Sequence, residues 1–366
     1  MISYAGKNRR TVNNLKTIYF DNPEWTPATA YFLPATWMKH RQALEDLILE
    51  HPRVFPGYKK GSVPDYDFKG AMGSPLYEPG LHKDCWGSVW KNIARGLDSQ
   101  VEVEPLTDWG TFEEWKKHLP DPMKDAEFGP RGDWETIRKS MAENKAKGGL
   151  ATYCPLMHGF FFMRLYYLRG FENLMMDMAL DDERLHELIG ILDEYNTTVV
   201  KKTLDMGAEE VILAEDLGMQ KMLPISPAMW RKFVKPSYEA TAGQCRDRGA
   251  VVYLHSDGHI LEIIPDLIEV GVRTLNPQFR ANGLEGLQEV ARGKVALNQD
   301  LDRQLMPFAT PSELEDHVGE VFEGLYMKKG GLALVAECGP DVPLANVEAI
   351  CKTFEKLCKL PEPEVV

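Results

Sequence analysis

From residue 149 onward, the chain alternates short apolar runs with amphipathic helical stretches. The apolar runs consist mainly of Val, Ile, Leu and Ala without regular polar alternation, which is typical of parallel strands buried on both faces. Helical stretches with one apolar face separate these runs. The pattern predicts strands at 30–35, 149–155, 209–216, 250–258, 272–277, 294–300 and 332–339, and helices at 180–206, 227–248, 260–270 and 312–327.

The first 145 residues have a different character. They are rich in Trp, Pro and charged residues, and their helical patterns at 36–51 and 133–147 are separated by long connections. Strands that alternate with helices, together with a first strand near residue 30, are explained most economically by a (β/α)8 TIM barrel. We therefore predict an α/β fold with a single structural domain, in which residues 146–366 form the main part of the barrel. Residues 1–145 form a helical and irregular N-terminal elaboration that supplies the first barrel strand.

The alternative to a barrel is an open, doubly wound sheet. That fold would need a glycine-rich phosphate turn after its first strand. The sequence contains neither GxGxxG nor GxxxxGK[ST], so the barrel is favoured and a nucleotide site of either type is not supported.

Charge and composition exclude several classes of partner. The 366 residues carry 42 Lys and Arg against 55 Asp and Glu, a net charge of −13, which disfavours binding to nucleic acid. Apolar stretches are too short to span a bilayer, and the polar amino terminus has no apolar signal segment. The six cysteines include no CxxC pair, which favours reduced thiols. We expect a cytoplasmic protein that acts on a small molecule, without a membrane or nucleic-acid partner.

Polar residues cluster where the predicted strands end. Because the carboxyl ends of barrel strands share one mouth, we expect these residues to form a single active site. The candidate catalytic acids are Glu215, Asp216 and Asp257. Aromatic and methionine residues of segment 157–178 add an apolar wall that suits a flat substrate. The candidate substrate-binding residues are Tyr153, Met157, His158, Phe161, Asn276, Gln278 and Asn298.

A metal site is predicted within the same ring of residues. His255 and Asp257 are two positions apart, so their side chains share one face of an extended chain. Together with Cys338 at another strand end, and with Glu215 as a possible fourth ligand, they make a donor set suited to Zn²⁺. Simpler interpretations remain open, because Cys338 could be a small core residue and Glu215 a helix cap.

Four segments of the chain resemble the uroporphyrinogen decarboxylase superfamily. These segments, within about residues 151–360, are LRGFENLMMDMALDDERLHELI (168–189), AEDLGMQKMLPISPAMWRKFVKPSYEA (214–240), HSDGHILEIIPDLIEVGVRTLNPQ (255–278) and ECGPDVPLANVEAI (337–350). The superfamily comprises barrels, and it includes porphyrinogen decarboxylases and cobalamin-linked zinc methyltransferases. The resemblance therefore implies a barrel enzyme from one of these branches.

Two departures from the family pattern favour the methyltransferase branch. The decarboxylases carry an RxxGRY loop for substrate carboxylates, and residues 32–47 here are FLPATWMKHRQALEDL. An acidic chain without that clamp is poorly suited to an octa-acidic tetrapyrrole. The methyltransferases use an HxCG motif and a late Cys as zinc ligands. Here the motif is HSDG at 255–258, and the late Cys is retained as Cys338.

The resemblance implies a cobalamin-dependent methyltransferase component. The carboxylate in HSDG makes the site harder, which suits an oxygen-containing methyl donor, so we expect an O-demethylase that takes methyl from a small aromatic methoxy compound. The chain has no DxHxxG motif, so cobalamin would be carried by a separate corrinoid protein. Two alternatives stay open: a decarboxylase or lyase acting on a smaller acid, anchored by Arg164, Arg273 or Arg280, and a non-catalytic binding barrel. A homodimer is compatible with the sequence.

Overall fold

The computed structural model describes residues 3–68 and 75–363. Its strands are β1 (Ala28–Phe32), β2 (Gly80–Lys83), β3 (Val89–Asn92), β4 (Gln100–Val103), β5 (Asp125–Ala126), β6 (Gly129–Pro130), β7 (Thr152–Tyr153), β8 (Glu210–Ala214), β9 (Val251–Ser256), β10 (Val272–Pro277), β11 (Ala296–Asp300) and β12 (Leu332–Cys338). Its helices are α1 (Arg9–Ile18), α2 (Pro34–Glu50), α3 (Phe112–Trp115), α4 (Trp134–Ala146), α5 (Phe162–Arg169), α6 (Phe171–Leu180), α7 (Glu183–Asp205), α8 (Pro227–Phe233), α9 (Lys235–Asp247), α10 (Ile264–Val270), α11 (Phe279–Asn282), α12 (Leu284–Val290), α13 (Pro311–Leu325) and α14 (Leu344–Leu357).

The predicted α/β fold of the TIM-barrel class is confirmed. Seven strands form one sheet in the order β1-β12-β11-β10-β9-β8-β7. The pairs β7 with β8, β8 with β9, β11 with β12 and β12 with β1 are parallel. Helices connect successive strands of this sheet from β8 onward, as the alternation of apolar runs and amphipathic stretches predicted.

The chain divides into two compact units. The first comprises residues Met1–Val12, Gly80–Lys91 and Ser99–Leu275, and the second comprises Asn13–Pro79, Asn92–Asp98 and Asn276–Val366. In the first unit, the interiors of β8 and β9 are fully buried at Val211, Leu213, Val252 and Leu254. Apolar burial of this kind is the main force that holds the strands in place beneath their polar ends.

Local sequence features explain where the structure departs from the predicted element bounds. The helix predicted at 180–206 is present as the single helix α7, which begins at Glu183 because Asp182 caps it by accepting a hydrogen bond from Arg184 N. The predicted helix at 227–248 breaks at Val234, just before Pro236, which has no N–H to continue a helix. The strand predicted at 149–155 is reduced to Thr152–Tyr153.

The helices predicted in the first 145 residues are present as α2 and α4. The predicted first strand is confirmed as β1, shifted toward the amino terminus. The irregular connections hold a three-stranded sheet in the order β2-β3-β4, in which β3 and β4 are antiparallel, and the antiparallel pair β5-β6, for which the sequence carried no clear alternation. Within the described ranges, no helix is both long enough and apolar enough to cross a membrane.

The loops that follow β8 and β9 cross at two glycines. A Cβ on Gly258 would lie 2.1 Å from the carbonyl oxygen of Gly218, and a Cβ on Gly218 would lie 2.3 Å from His259 N. Gly258 also has a φ of +80°, which other residues rarely adopt. His259 N donates to Met219 O at 2.7 Å across the crossing. Only glycine allows this approach, and the approach keeps the polar ends of β8 and β9 side by side.

Candidate functional site

The candidate site lies at the carboxyl ends of β8 and β9 in the first unit. These strands are neighbours, and Ala214 of β8 is in register with His255 of β9. Asp216 follows β8 by two residues, and its loop is tied to β9 because Leu217 N donates to Ser256 Oγ at 3.0 Å. Polar side chains from two strands therefore meet at one edge, as the barrel interpretation predicted.

Three side chains form what we call the His-Asp cluster: His158, Asp216 and His255. One ligand atom from each lies within 4.8 Å of the other two. His158 Nε2 is 3.3 Å and His255 Nε2 is 3.9 Å from Asp216 Oδ1. The exposed fraction of the side chain is 47% for His158, 31% for Asp216 and 22% for His255. The cluster can therefore be reached by a ligand from solvent.

Asp216 is the electrostatic centre of the cluster. Burial disfavours the charge on its carboxylate, but the hydrogen bond from His158 and the charges of both histidines outweigh that cost and lower the pKa of Asp216. Burial also disfavours a charged His158, yet the Asp216 carboxylate raises the pKa of His158 above its usual value. The pair therefore favours a protonated His158 beside an ionised Asp216, so the site holds a proton on an imidazole ring.

Asp257 is the second carboxylate beside the cluster. Its Oδ1 lies 3.6 Å from His255 Nε2, and its backbone N–H donates to Asp216 Oδ1 at 3.3 Å. The structure therefore brings together His255 and Asp257, the pair predicted from the HSDG motif. It adds His158, predicted as a substrate contact, and Asp216, predicted as a catalytic acid, to the group of possible metal ligands.

Glu215, predicted as an acid and possible fourth ligand, has its oxygens engaged elsewhere. The side chain is fully buried. Its Oε1 accepts hydrogen bonds from Phe161 N at 3.0 Å and Met163 N at 2.8 Å, and its Oε2 accepts one from Tyr238 Oη at 2.5 Å. Burial raises the pKa of Glu215 to about 7 against the opposing effect of these bonds. Glu215 thus holds the start of α5, the helix that follows His158.

A cavity of about 210 Å³ lies in the same unit. Tyr153 and Met157, both predicted substrate contacts, line it, together with the rings of Trp86, Phe160 and Tyr195. Phe161, also predicted to contact substrate, is fully buried in the core. Its backbone N–H donates a hydrogen bond to Glu215 Oε1. The cavity and the cluster share the segment that carries Met157 and His158.

The remaining predicted residues belong to the second unit. Asn276 is buried and its Nδ2 donates to Asn298 O at 2.6 Å, whereas Gln278 O accepts from Asn282 Nδ2 at 2.8 Å. Cys338 has no exposed surface, and its Sγ lies 4.0 Å from Ala336 O. Burial, reinforced by nearby carboxylates, raises the pKa of the Cys338 thiol well above its usual range. Cys338 is therefore protonated until a metal or another cation compensates its charge.

The arginines considered as carboxylate anchors are differently placed. Arg164 is fully buried, and its guanidinium lies 2.6 Å from Asp84 and 3.3 Å from Glu127. In the second unit, Arg280 is paired with Asp302 at 2.7 Å. Arg273 is exposed. The charges of Arg164 and Arg280 are thus neutralised by the protein itself.

Sequence reasoning missed Arg131 and Tyr238. Arg131 lines the cavity from the irregular region before α4, and Tyr238 reaches Glu215 from α9. Neither residue lies at a strand end or in a recognisable motif. Trp86, in the segment DCWGSVW (84–90), also lines the cavity from this irregular region.

Comparisons with known proteins agree with this architecture. The model of the family described as uroporphyrinogen decarboxylase (URO-D) matches residues 159–357. A uroporphyrinogen decarboxylase of Nocardia farcinica (strain IFM 10152) is 29% identical over 152 residues, which cover 42% of this chain and 41% of that protein. The match thus spans less than half the length of this curated relative. A methyltransferase from Methanosarcina mazei shares the fold, with a TM-score of 0.59 at 16% identity over 94% of this chain and 98% of that one.

Replacing Glu215 by Gln will change how stability depends on pH. The folded-state pKa of Glu215, about 7, lies above the ordinary 4.5. The contribution of this group to the free energy of unfolding is therefore fully present below pH 4.5 and is lost as the pH rises through 7. Gln has the same shape and can still accept from Phe161 N and Met163 N. Between pH 4.5 and 8, urea unfolding should show Glu215→Gln gaining up to about 3 kcal/mol relative to the original protein.

The surface substitution Glu194→Gln serves as the control, because Glu194 is exposed on α7. It should leave the pH profile of the unfolding free energy unchanged. Parallel profiles for Glu215→Gln and the original protein would contradict the assignment of a buried, proton-accepting Glu215.

Proposed function

Because the chain belongs to the uroporphyrinogen decarboxylase (URO-D) family, we propose that it is an enzyme that transfers a methyl group from a small aromatic methoxy compound to a corrinoid protein. The observation that carries this proposal is the His-Asp cluster. It places a proton-holding imidazole and a second imidazole around one carboxylate at the active-site end of parallel strands. Such a group can stabilise an oxygen that departs with negative charge.

Charge argues against a porphyrinogen substrate, and the cavity has room for a smaller one. A cavity of about 150 Å³ holds one benzene ring, so the cavity of 210 Å³ can accommodate one substituted ring. A substrate with many carboxylates also needs several free arginines. Arg164 and Arg280 already have carboxylate partners within the protein.

The proposed reaction breaks the C–O bond of the methoxy group. The methyl carbon leaves without the bonding electron pair and is captured by the reduced corrinoid, which supplies two electrons. The oxygen keeps the original pair and takes a proton, which yields the free hydroxyl product. His158 holds that proton on Nε2 beside Asp216, and its exposed ring can be reprotonated from solvent. A general acid of this kind contributes roughly 10²- to 10⁴-fold to a rate.

The donor set of the cluster also fits Zn²⁺. Two imidazole nitrogens and one carboxylate oxygen are ligands that zinc uses in catalytic sites, and His158, Asp216 and His255 offer them within 4.8 Å of one another. When bound, zinc supplies Lewis-acid stabilisation of the departing oxygen in place of the proton. Asp257 Oδ1 lies 3.6 Å from His255 Nε2, the ring nitrogen that also faces Asp216, so Asp257 would offer the ion a further carboxylate oxygen.

Decarboxylation of a small acid is the second candidate. It is favoured by Arg131, which lines the cavity and has no ion-pair partner among the residues that the structure describes. The Nocardia relative is also named a decarboxylase. The two candidates differ in their requirements, because methyl transfer depends on added corrinoid protein whereas decarboxylation releases CO₂ without it. Tight ligand binding without either product would indicate a non-catalytic binding barrel.

Substitution of Asp216 by Asn should reduce methyl transfer about 100-fold or more. Without the carboxylate charge, His158 loses the interaction that raises its pKa, and His255 loses one of the two carboxylates near its Nε2. The assay follows the absorbance change of reduced corrinoid protein with 4-methoxybenzoate as donor. His186→Gln is the matched control, because His186 forms an exposed pair with Asp181 at 2.8 Å in the same unit. Full activity of Asp216→Asn, or CO₂ release without corrinoid, would contradict the methyltransferase proposal.

Metal analysis tests the ligand set separately. Protein prepared without chelators should bind about one Zn²⁺ or Co²⁺ per chain in equilibrium dialysis. His255→Ala and Asp216→Asn should each weaken binding at least about tenfold, whereas the exposed His118→Ala should not. Weaker binding in Cys338→Ala would identify the thiolate as a further ligand. The absence of bound metal in the original protein would leave the imidazolium as the electrophile and contradict the zinc assignment.

A further inference from the structure

The cavity that Met157 lines, one residue before His158 of the cluster, has a volume suited to one ring. Its volume is about 210 Å³, against roughly 150 Å³ for an engineered protein cavity that binds benzene. Trp86 and Phe160 contribute buried rings, and the Trp86 ring lies edge-on to that of Tyr195 with centroids 5.0 Å apart. Aromatic walls of this kind favour an aromatic guest, because ring contacts stabilise beyond simple apolar burial.

Arg131 places one positive charge in this cavity, whose lining also includes four aromatic side chains and the carboxyl of Glu127. Its Nη1 donates to Pro155 O at 3.0 Å and its Nη2 donates to Tyr195 Oη at 2.9 Å, so two neutral groups fix the guanidinium. Its Nε is buried and has no hydrogen-bond partner. Within residues 3–68 and 75–363, no carboxylate forms an ion pair with Arg131. Among these residues, the Arg131 guanidinium therefore has no anionic hydrogen-bond acceptor.

The second arginine at this cavity is already neutralised. Arg164 lies behind Glu127 and Met157, which line the cavity, and it is paired with Asp84 at 2.6 Å and Glu127 at 3.3 Å. Glu127 does not cancel the charge of Arg131. Its partner is Arg164, and burial raises the pKa of its carboxyl. The cavity therefore offers a guest the guanidinium of Arg131, to which no carboxylate of the described residues is paired.

We propose that this cavity, the Arg131 cavity, binds a single-ring aromatic carboxylate, with the carboxylate on Arg131 and the ring against the aromatic wall. This inference deepens the proposed function and rests on it for the chemistry: the methyl donor would be a methoxy-substituted benzoate. The segment from Cys154 to His158 connects the two sites, because Cys154 and Met157 line the cavity and His158 joins the His-Asp cluster. A ring held by Arg131 would thus sit beside the group that protonates its methoxy oxygen.

Calorimetry with simple ring compounds tests the anchor without corrinoid or metal. Benzoate and 4-methoxybenzoate should bind, whereas benzamide and anisole, which have no charge, should bind about tenfold to a hundredfold more weakly. Arg131→Gln should lose the same factor for the two carboxylates and little for anisole. Arg138→Gln is the matched control, because Arg138 is exposed on α4 and paired with Glu135 at 2.6 Å.

A second measurement needs no substitution at Arg131. Cys154 lines the cavity and is exposed, whereas Cys245, Cys338, Cys351 and Cys358 are buried. Iodoacetamide should therefore alkylate Cys154, as located by peptide mass spectrometry. Saturating 4-methoxybenzoate should slow this alkylation at least about fivefold, with half-protection at the dissociation constant found by calorimetry. Because this measurement uses the original protein, it tests the site even if the Arg131→Gln variant does not fold.

The outcomes separate the inference from the proposed function. Equal binding of benzoate and anisole, no binding of either, or binding without protection of Cys154 would overturn the Arg131 cavity as a carboxylate site. Selective, protective binding of benzoates without methyl transfer to corrinoid would support the inference and refute the proposed function. Methyl transfer from anisole that is insensitive to Arg131→Gln would support the function and refute the inference.

Discussion

The candidate site depends on a single carboxylate, Asp216, that faces two imidazoles. Without that anion, His158 and His255 would lose the carboxylate that lies near both rings, although Asp257 would still lie 3.6 Å from His255. With it, one proton or one metal ion can be held where a leaving oxygen needs it. The glycine crossing of Gly218 and Gly258 is what brings the two loops close enough for this arrangement.

Adjacent residues at the end of β8 have opposite roles because the chain turns their side chains in different directions. Glu215 points into the core, where burial raises its pKa to about 7 and where it anchors the start of α5. Asp216 points to the exposed cluster, where two histidines lower its pKa. One acid stabilises the segment that presents His158, and the other binds the imidazole of His158. This division connects the packing of α5 to the chemistry of the site.

The sequence predicted the features that arise from local pattern. Buried strands separated by helices, polar strand ends and the pairing of His255 with Asp257 all follow from short-range spacing. The sequence could not show that Glu215 and Asp216 have different roles. The role of Glu215 depends on hydrogen bonds from Tyr238, Phe161 and Met163, which lie far from it along the chain. Arg131 was missed because an irregular segment carries no periodicity. The helix break at Val234 required knowledge of proline geometry that a search for apolar faces overlooks.

A double-mutant cycle in the methyl-transfer assay tests most directly whether the cluster acts as one unit. The rates to compare are those of His158→Ala, Asp216→Asn and the double variant. Groups that act together are not additive, so the double variant should be about as slow as the slower single variant. If the two penalties multiply instead, His158 and Asp216 act independently, and the central role assigned to their pairing is wrong.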